Sequence, residues 1–169
     1  MKKIVFVFIF FFIVAELSAQ QTPIPLQITT FILVRHAEKV SDGTKDPELT
    51  DAGKVRANAL IKLLKDTKVD AIYSTNFKRT RETVTPLSLI KNLTILPYDG
   101  MKMEEVDAML KKFAGGTIVV CGHSNTTPSV ANYLTGKADY KDFDDTDYDN
   151  LLLVDVLAKG KAKVTWLSY

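Results

Sequence analysis

Short runs of β-branched and other apolar residues alternate along this chain with stretches in which apolar positions recur at helical spacing. The short runs cover residues 31–34, 70–73, 93–96, 117–121, 151–157 and 163–167, and their length and composition predict strands. Between the first two, Thr50 can cap a helix whose apolar face is Ala52, Val55, Ala59 and Leu63. Over 103–113 the face is Met103, Val106, Leu110 and Phe113. In "TPSVANYLTG" Thr127 can cap, Pro128 suits the first helical position and Gly136 suits the stop. Residues 77–90 also have helical spacing, with Pro86 expected to kink or end that helix. Strands alternating with helices imply βαβ units and a parallel sheet covered on both faces. Only the last two strands break the alternation, and the short "LAKGK" turn between them indicates an antiparallel hairpin at a sheet edge. The expected fold is therefore α/β, a three-layer αβα sandwich with a mostly parallel central sheet and an antiparallel edge strand.

The first residues follow a different pattern. Lys2 and Lys3 precede an apolar run over 4–15 and then small Ser18 and Ala19, the arrangement of a secretory signal peptide cleaved near Ala19. The run is short against the roughly 20 residues that span a bilayer, so no stable membrane anchor is expected after cleavage. The expected organisation is a signal peptide over 1–19, a linker over 20–30 and one catalytic domain over 31–169, exported to a periplasm or secreted. Loss of Lys2, Lys3 and Glu16 with the peptide leaves a net charge of +1. Such a balance gives no electrostatic case for nucleic acid. With Cys121 as the single cysteine, stability must come from packing, not from an internal disulfide.

Candidate chemistry sits where strands end. In "FILVRHAEKV" the first strand runs straight into Arg35 and His36, and "TIVVCG" runs into His123 in the same way. In open parallel sheets ligands bind beyond the carboxyl ends of the strands. The chain has two histidines, and both fall at that edge. In "IYSTNFKRTRET" a third strand ends at Ser74 and leads into a helix, where Arg79 lies close enough to the start to reach the same crevice. Lys78 and Arg81 are turned to other, solvated faces of that helix. Two arginines with two histidines describe an anion pocket, because guanidinium pairs with phosphate oxygens and a neutral imidazole can attack phosphorus. Arginines beside both imidazoles would repel a divalent cation, so no metal and no other cofactor is expected.

These residues resemble the histidine phosphatase superfamily, also called phosphoglycerate mutase-like. The resemblance rests on "LVRHAEK", "LTDAGKVRANAL", "IYSTNFKRTRET" and "VVCGHSNTTP", in that order, and extends from Phe31 to Trp166. It implies a metal-independent phosphatase that hydrolyses phosphomonoesters through a phosphohistidine on His36, with Arg35, Arg79 and His123 holding the phosphoryl group and Asn125 at the pocket mouth. Ala37 stands where the family often has glycine. The resemblance also calls for a carboxylic acid, between Arg79 and His123, that protonates the leaving group. Asp99 directly follows a strand end and is favoured over Glu104 and Glu105, which fall inside a predicted helix; as a turn residue in "YDG" it also has a purely structural explanation. Glu38 either orients His36 or Arg35 or is a surface carboxylate.

Six aspartates between Ala138 and Asn150 invite a calcium reading, but the stretch lacks the glycine and closing glutamate of an EF-hand loop and reads as solvated. The small size resembles the phosphohistidine phosphatase branch, whose cytosolic protein substrates do not suit an exported chain. A phosphorylated small molecule or an envelope glycan suits it better. The alternative is a catalytically weak or inactive phosphate-binding or interaction module of the same fold. The oligomeric state is not encoded in any motif.

Overall fold

A computed structural model describes residues 27–169; the expected signal peptide and most of the expected linker lie outside them. Ten elements follow one another: β1 (Thr29–Arg35), α1 (Asp51–Leu64), β2 (Ala71–Ser74), α2 (Lys78–Lys91), β3 (Ile95–Pro97), α3 (Met103–Lys112), β4 (Thr117–Gly122), α4 (Thr126–Thr135), β5 (Asn150–Ala158) and β6 (Lys161–Ser168). The strands form one sheet in the order β3-β2-β4-β1-β5-β6. The first four run parallel, β5 pairs antiparallel with β1, and β6 antiparallel with β5. This is the expected mostly parallel sheet with a hairpin at its edge.

Alternation along the central strands divides the core in two. Phe31 and Leu33 of β1, with Ile118 and Val120 of β4, pack against Val106 and Met109 of α3 and Val130, Ala131 and Leu134 of α4. Ile32 and Val34, with Val119 and Cys121, pack on the other face against Leu60 and Leu64 of α1 and Val84 and Leu87 of α2. Both faces of β1 and β4 are covered, which is why their sequences are continuous apolar runs instead of alternating ones. Cys121 is fully buried in the second of these layers.

Two local expectations are corrected and a third is narrowed. The inward face of α1 is Gly53, Ala57, Leu60 and Leu64, one position on from the predicted one; Val55 and Leu63 are 70% and 46% exposed. The reason is Gly53, where a Cβ would lie 2.3 Å from the Glu38 carbonyl oxygen. The backbone of α1 approaches the segment after β1 so closely that glycine has to face inward. The cap of α4 is Asn125, so Pro128 falls in the first turn but not at its first position, while Gly136 closes the helix with φ 68° as expected. Of the two outcomes expected at Pro86, ending is excluded, since α2 continues through it to Lys91 and closes on Asn92 in the left-handed conformation. Thr50 does cap α1, its hydroxyl accepting from Gly53 N at 3.1 Å.

Candidate active site

Parallel register brings the ends of three strands side by side. Arg35 pairs with Gly122 across β1 and β4, and the next residue of each strand is a histidine. His36 N donates to the Gly122 carbonyl at 2.9 Å, and Thr75 N, just past β2, donates to the Cys121 carbonyl at 3.2 Å. Gly122 has no room for a side chain, since a Cβ would meet Thr126 Oγ1 at 2.6 Å. That same hydroxyl accepts from His123 N at 2.8 Å and fixes the turn from β4 into α4. The two imidazoles thus come together edge to face, with ring centroids 5.4 Å apart.

Hydrogen bonds set their tautomers. His36 Nδ1 lies 2.8 Å from the Ala37 carbonyl, which can only accept. The proton is therefore on Nδ1, and the lone pair of the neutral ring is on Nε2. At His123 the roles are reversed. Arg79 Nη2, which can only donate, lies 3.4 Å from Nδ1, so Nε2 carries the proton toward Thr75 Oγ1 at 2.9 Å. Thr75 passes its own proton to Thr80 Oγ1 at 3.1 Å, and Thr80 closes the chain on the Thr75 carbonyl at 2.8 Å. Burial, reinforced by the nearby Arg35, pulls the His36 imidazole down to about 3, although its bond to the Ala37 carbonyl opposes the shift. Burial and the charges of Arg79 and Arg35 lower His123 to about 4. Both rings are neutral at pH 7.

Arg79, in the first turn of α2, reaches the His123 imidazole. Its guanidinium lies over the Phe77 ring, 4.5 Å from the centroid. Its Nε and Nη1 are buried and have no hydrogen-bond partner; Asp46 stands 3.7 Å from Nη1. Arg35 is arranged differently. Its side chain is buried, and its Nη1 donates to the carbonyls of Asp144 and Asp147 at 2.6 and 2.7 Å. Nη2 donates to the Asp145 carbonyl at 3.2 Å. Only Nε is left without a partner. Arg35 therefore brings its charge close to His36, while its fork holds the acidic loop.

A cavity of about 690 Å³ is lined by His123, Arg79, Asp99 and Asn125; His36 and Arg35 are buried and are not among its lining residues. Asp99 sits at the turn after β3, its Oδ1 accepting from Met101 N at 3.0 Å. Glu105 lines the cavity too and accepts from Asp99 N at 3.0 Å. Glu104 is exposed and is not among the lining residues. Glu38 orients neither His36 nor Arg35: it pairs with Arg56 at 2.7 Å, which holds its carboxyl below the usual range. Lys78 and Arg81 are exposed, as expected.

The sequence places Tyr148 just before β5, where it could approach the crevice edge or end the sheet, and gives it no role; Thr75 was not read from the sequence. Tyr148, at the end of the acidic loop, lies 5.9 Å from the His36 ring and 4.3 Å from the Arg35 guanidinium carbon. Thr75 holds His123. Position immediately after β2 was the available signal for Thr75; for Tyr148, 112 residues beyond His36, the signal was its place just before β5, which does not say which side chain it meets.

This arrangement, two neutral imidazoles with guanidinium donors at parallel strand ends, can be compared with known proteins. Residues 31–102 match the family model of the histidine phosphatase superfamily (branch 1). That segment carries the nucleophile candidate and the second arginine. Phosphoserine phosphatase 1 of Hydrogenobacter thermophilus is 36% identical over 92 residues, which cover 44% of this chain and 44% of the relative, so the match spans less than half the relative's length. Among solved structures, the protein histidine phosphatase SixA complexed with tungstate superposes with a TM-score of 0.66 at 16% identity, covering 82% of this chain and 96% of that one. Phosphoserine phosphatase of Entamoeba histolytica in complex with 3-phosphoglyceric acid gives 0.64 at 19% identity, with 83% and 98% covered. Mycobacterial glucosyl-3-phosphoglycerate phosphatase gives 0.67 at 11% identity, with 84% and 99% covered. The fold is that of the phosphoglycerate mutase-like histidine phosphatases.

Proposed function

We propose that the chain is a phosphatase of the histidine phosphatase superfamily that hydrolyses phosphomonoesters through a phosphohistidine on His36. The observation that carries this reading is the pairing of a neutral His36, its lone pair directed to Nε2 by the Nδ1 contact with Ala37, with unpartnered N–H groups of Arg35 and Arg79. His36 Nε2 attacks phosphorus and the bond from phosphorus to the ester oxygen breaks. The departing oxygen takes a proton from a carboxylic acid on the cavity wall, Asp99 or Glu105. Water then attacks the phosphohistidine, giving a proton to the carboxylate left by the first step; the P–N bond breaks, and free imidazole, the protonated acid and inorganic phosphate result. Guanidiniums stabilise charge on the non-bridging oxygens, and positioning supplies most of the acceleration. His123, neutral and held through Nε2 by Thr75, helps place Arg79 at the phosphoryl group through its Nδ1.

The test is hydrolysis of an aryl phosphate, whose leaving group needs little protonation, by the purified protein with a chelator present. His36→Ala should abolish it, with a phosphorylated histidine trapped in the parent and absent from the variant. Unchanged turnover in His36→Ala would remove the reading. Binding of inorganic phosphate without turnover of any ester would support the phosphate-binding module instead. Asp99→Asn and Glu105→Gln, compared on aryl and alkyl esters, assign the acid: the true donor loses alkyl activity selectively. Export to a periplasm or beyond, and a phosphorylated small molecule or envelope glycan as substrate, belong to this proposal. They are supported by the pattern over 1–19 and tested by the N-terminal mass of the protein recovered from cells.

A further inference from the structure

Away from the imidazoles the cavity changes character. Phe77, Pro97, Tyr98 and Met101 make up much of its wall, and Phe77 and Met101 are 39% and 75% exposed. Phe77 is not free to swing aside, because its ring meets His123 edge to face at 5.0 Å and underlies Arg79 at 4.5 Å. A large apolar surface is therefore held open directly beside the position a phosphoryl group would take. The charges on the wall are asymmetric. Arg79 is the one cation among the lining residues, whereas Asp99 and Glu105 are both carboxylates, and Lys102 is drawn to Asp99 at 3.7 Å. Arg79 is needed at the phosphoryl group. With one of the two acids protonated as the proton donor, a second anion on the substrate would still face the other carboxylate, with Arg79 as the one cation among the lining residues and already engaged by the phosphoryl group, and like charges in such proximity discriminate against a ligand.

Resting on the phosphatase reading above, we propose that the substrate's alcohol is an apolar, aryl or alkyl body without a second anionic group, packed on Phe77 and Met101. The preference comes from both terms, apolar area gained on the shelf and repulsion of carboxylates at its edge. Esters such as O-phosphoserine and 3-phosphoglycerate are then poor substrates here, whatever the relatives of this fold accept.

The experiment compares kcat/KM of the full protein on hexyl phosphate, glucose 6-phosphate and 3-phosphoglycerate, all esters of primary alcohols, so that leaving-group chemistry is nearly constant. Hexyl phosphate should exceed 3-phosphoglycerate by about tenfold or more. Met101→Ala should lower the value for hexyl phosphate about threefold and leave inhibition by inorganic phosphate unchanged. Met101→Lys should raise 3-phosphoglycerate turnover about threefold, the effect of a partly exposed ion pair. Equal or better turnover of 3-phosphoglycerate or glucose 6-phosphate by the parent, or no change of preference in Met101→Lys, would overturn the shelf while leaving the phosphatase intact. Failure to hydrolyse phenyl phosphate as well would overturn the phosphatase reading, and this one with it.

Discussion

His36 and His123 owe their neutrality to their surroundings, and that neutrality has a measurable cost in acid. Folded, the two rings titrate at about 3 and about 4, against 6.5 for an unperturbed imidazole. Between those values the unfolded chain binds protons that the folded chain does not, so stability is complete above pH 6.5 and falls as pH falls toward 3. Chemical denaturation at pH 7 and pH 4.5 should differ by about 1–3 kcal/mol from these rings together, after allowance for their partial solvent contact, and His36→Asn with His123→Asn should flatten that dependence. Activity should show the opposite of ordinary imidazole behaviour. At pH 5 a ring with pKa 6.5 would be only about 3% neutral, whereas kcat/KM on an aryl phosphate should lose less than about threefold from histidine ionisation between pH 7 and 5. The positions of Arg35, His36, Arg79 and His123 at strand ends and a helix start were legible from sequence, because alternating elements fix which end of the sheet they reach. Where Arg35 points was not. Its fork is satisfied by carbonyls of residues 144, 145 and 147, and no periodicity in the chain foretells a contact made by backbone oxygens of a loop.

At the level of elements, α1 shows how a helix can be correctly located and wrongly turned. Its apolar residues permit two adjacent stripes, and the chosen one, through Val55 and Leu63, faces solvent. The deciding contact is between backbones, at Gly53 and Glu38, and glycine carries no weight in a hydrophobic pattern. Gly53→Ala should destabilise the fold by about 2 kcal/mol, the range of overpacking. Leu60→Ala should cost about 2–5 kcal/mol, since Leu60 is fully buried. Leu63→Ala, on the stripe favoured by sequence alone, should cost about 0.5 kcal/mol or less. Urea midpoints of the three variants would rank the faces directly. The remaining elements were legible because β1 and β4, buried on both sides, announce themselves as continuous apolar runs, whereas β3 is three residues long and only its approximate place could be read. For Pro86 the sequence left kinking and ending both open, because its effect on a helix depends on what packs around the missing N–H, a tertiary matter.

Across the whole molecule, the hairpin at the sheet edge is connected to the site. Trp166 of β6 packs against Tyr140 and Phe143, with ring centroids 5.8 and 5.7 Å away, and donates to Asn150 Oδ1 at 2.6 Å. These residues bracket the acidic loop, whose carbonyls grip Arg35 and whose Tyr148 stands beside His36. A stretch that looked like a solvated run of aspartates is thereby a brace between edge strand and strand end. Its grip on Arg35 is made mainly by backbone carbonyls, with the Asp145 carboxylate 3.6 Å from Nη2, so reading side chains alone hid its use. Trp166→Ala should lower kcat/KM on an aryl phosphate by about three- to tenfold, through looser placement of Arg35, with inhibition by inorganic phosphate weakened in parallel.

Cys121 lies on β4, one residue from the glycine that precedes His123, with no exposed surface and a thiol that burial pushes above its usual range. Since the sequence contains one sulfhydryl, a chromogenic disulfide reagent can react only when the centre of the sheet parts. The labelling rate in native buffer is therefore a clock for openings of the strand that leads into one of the two imidazoles, and a phosphate mimic that clamps both strand ends should slow it in proportion to its occupancy.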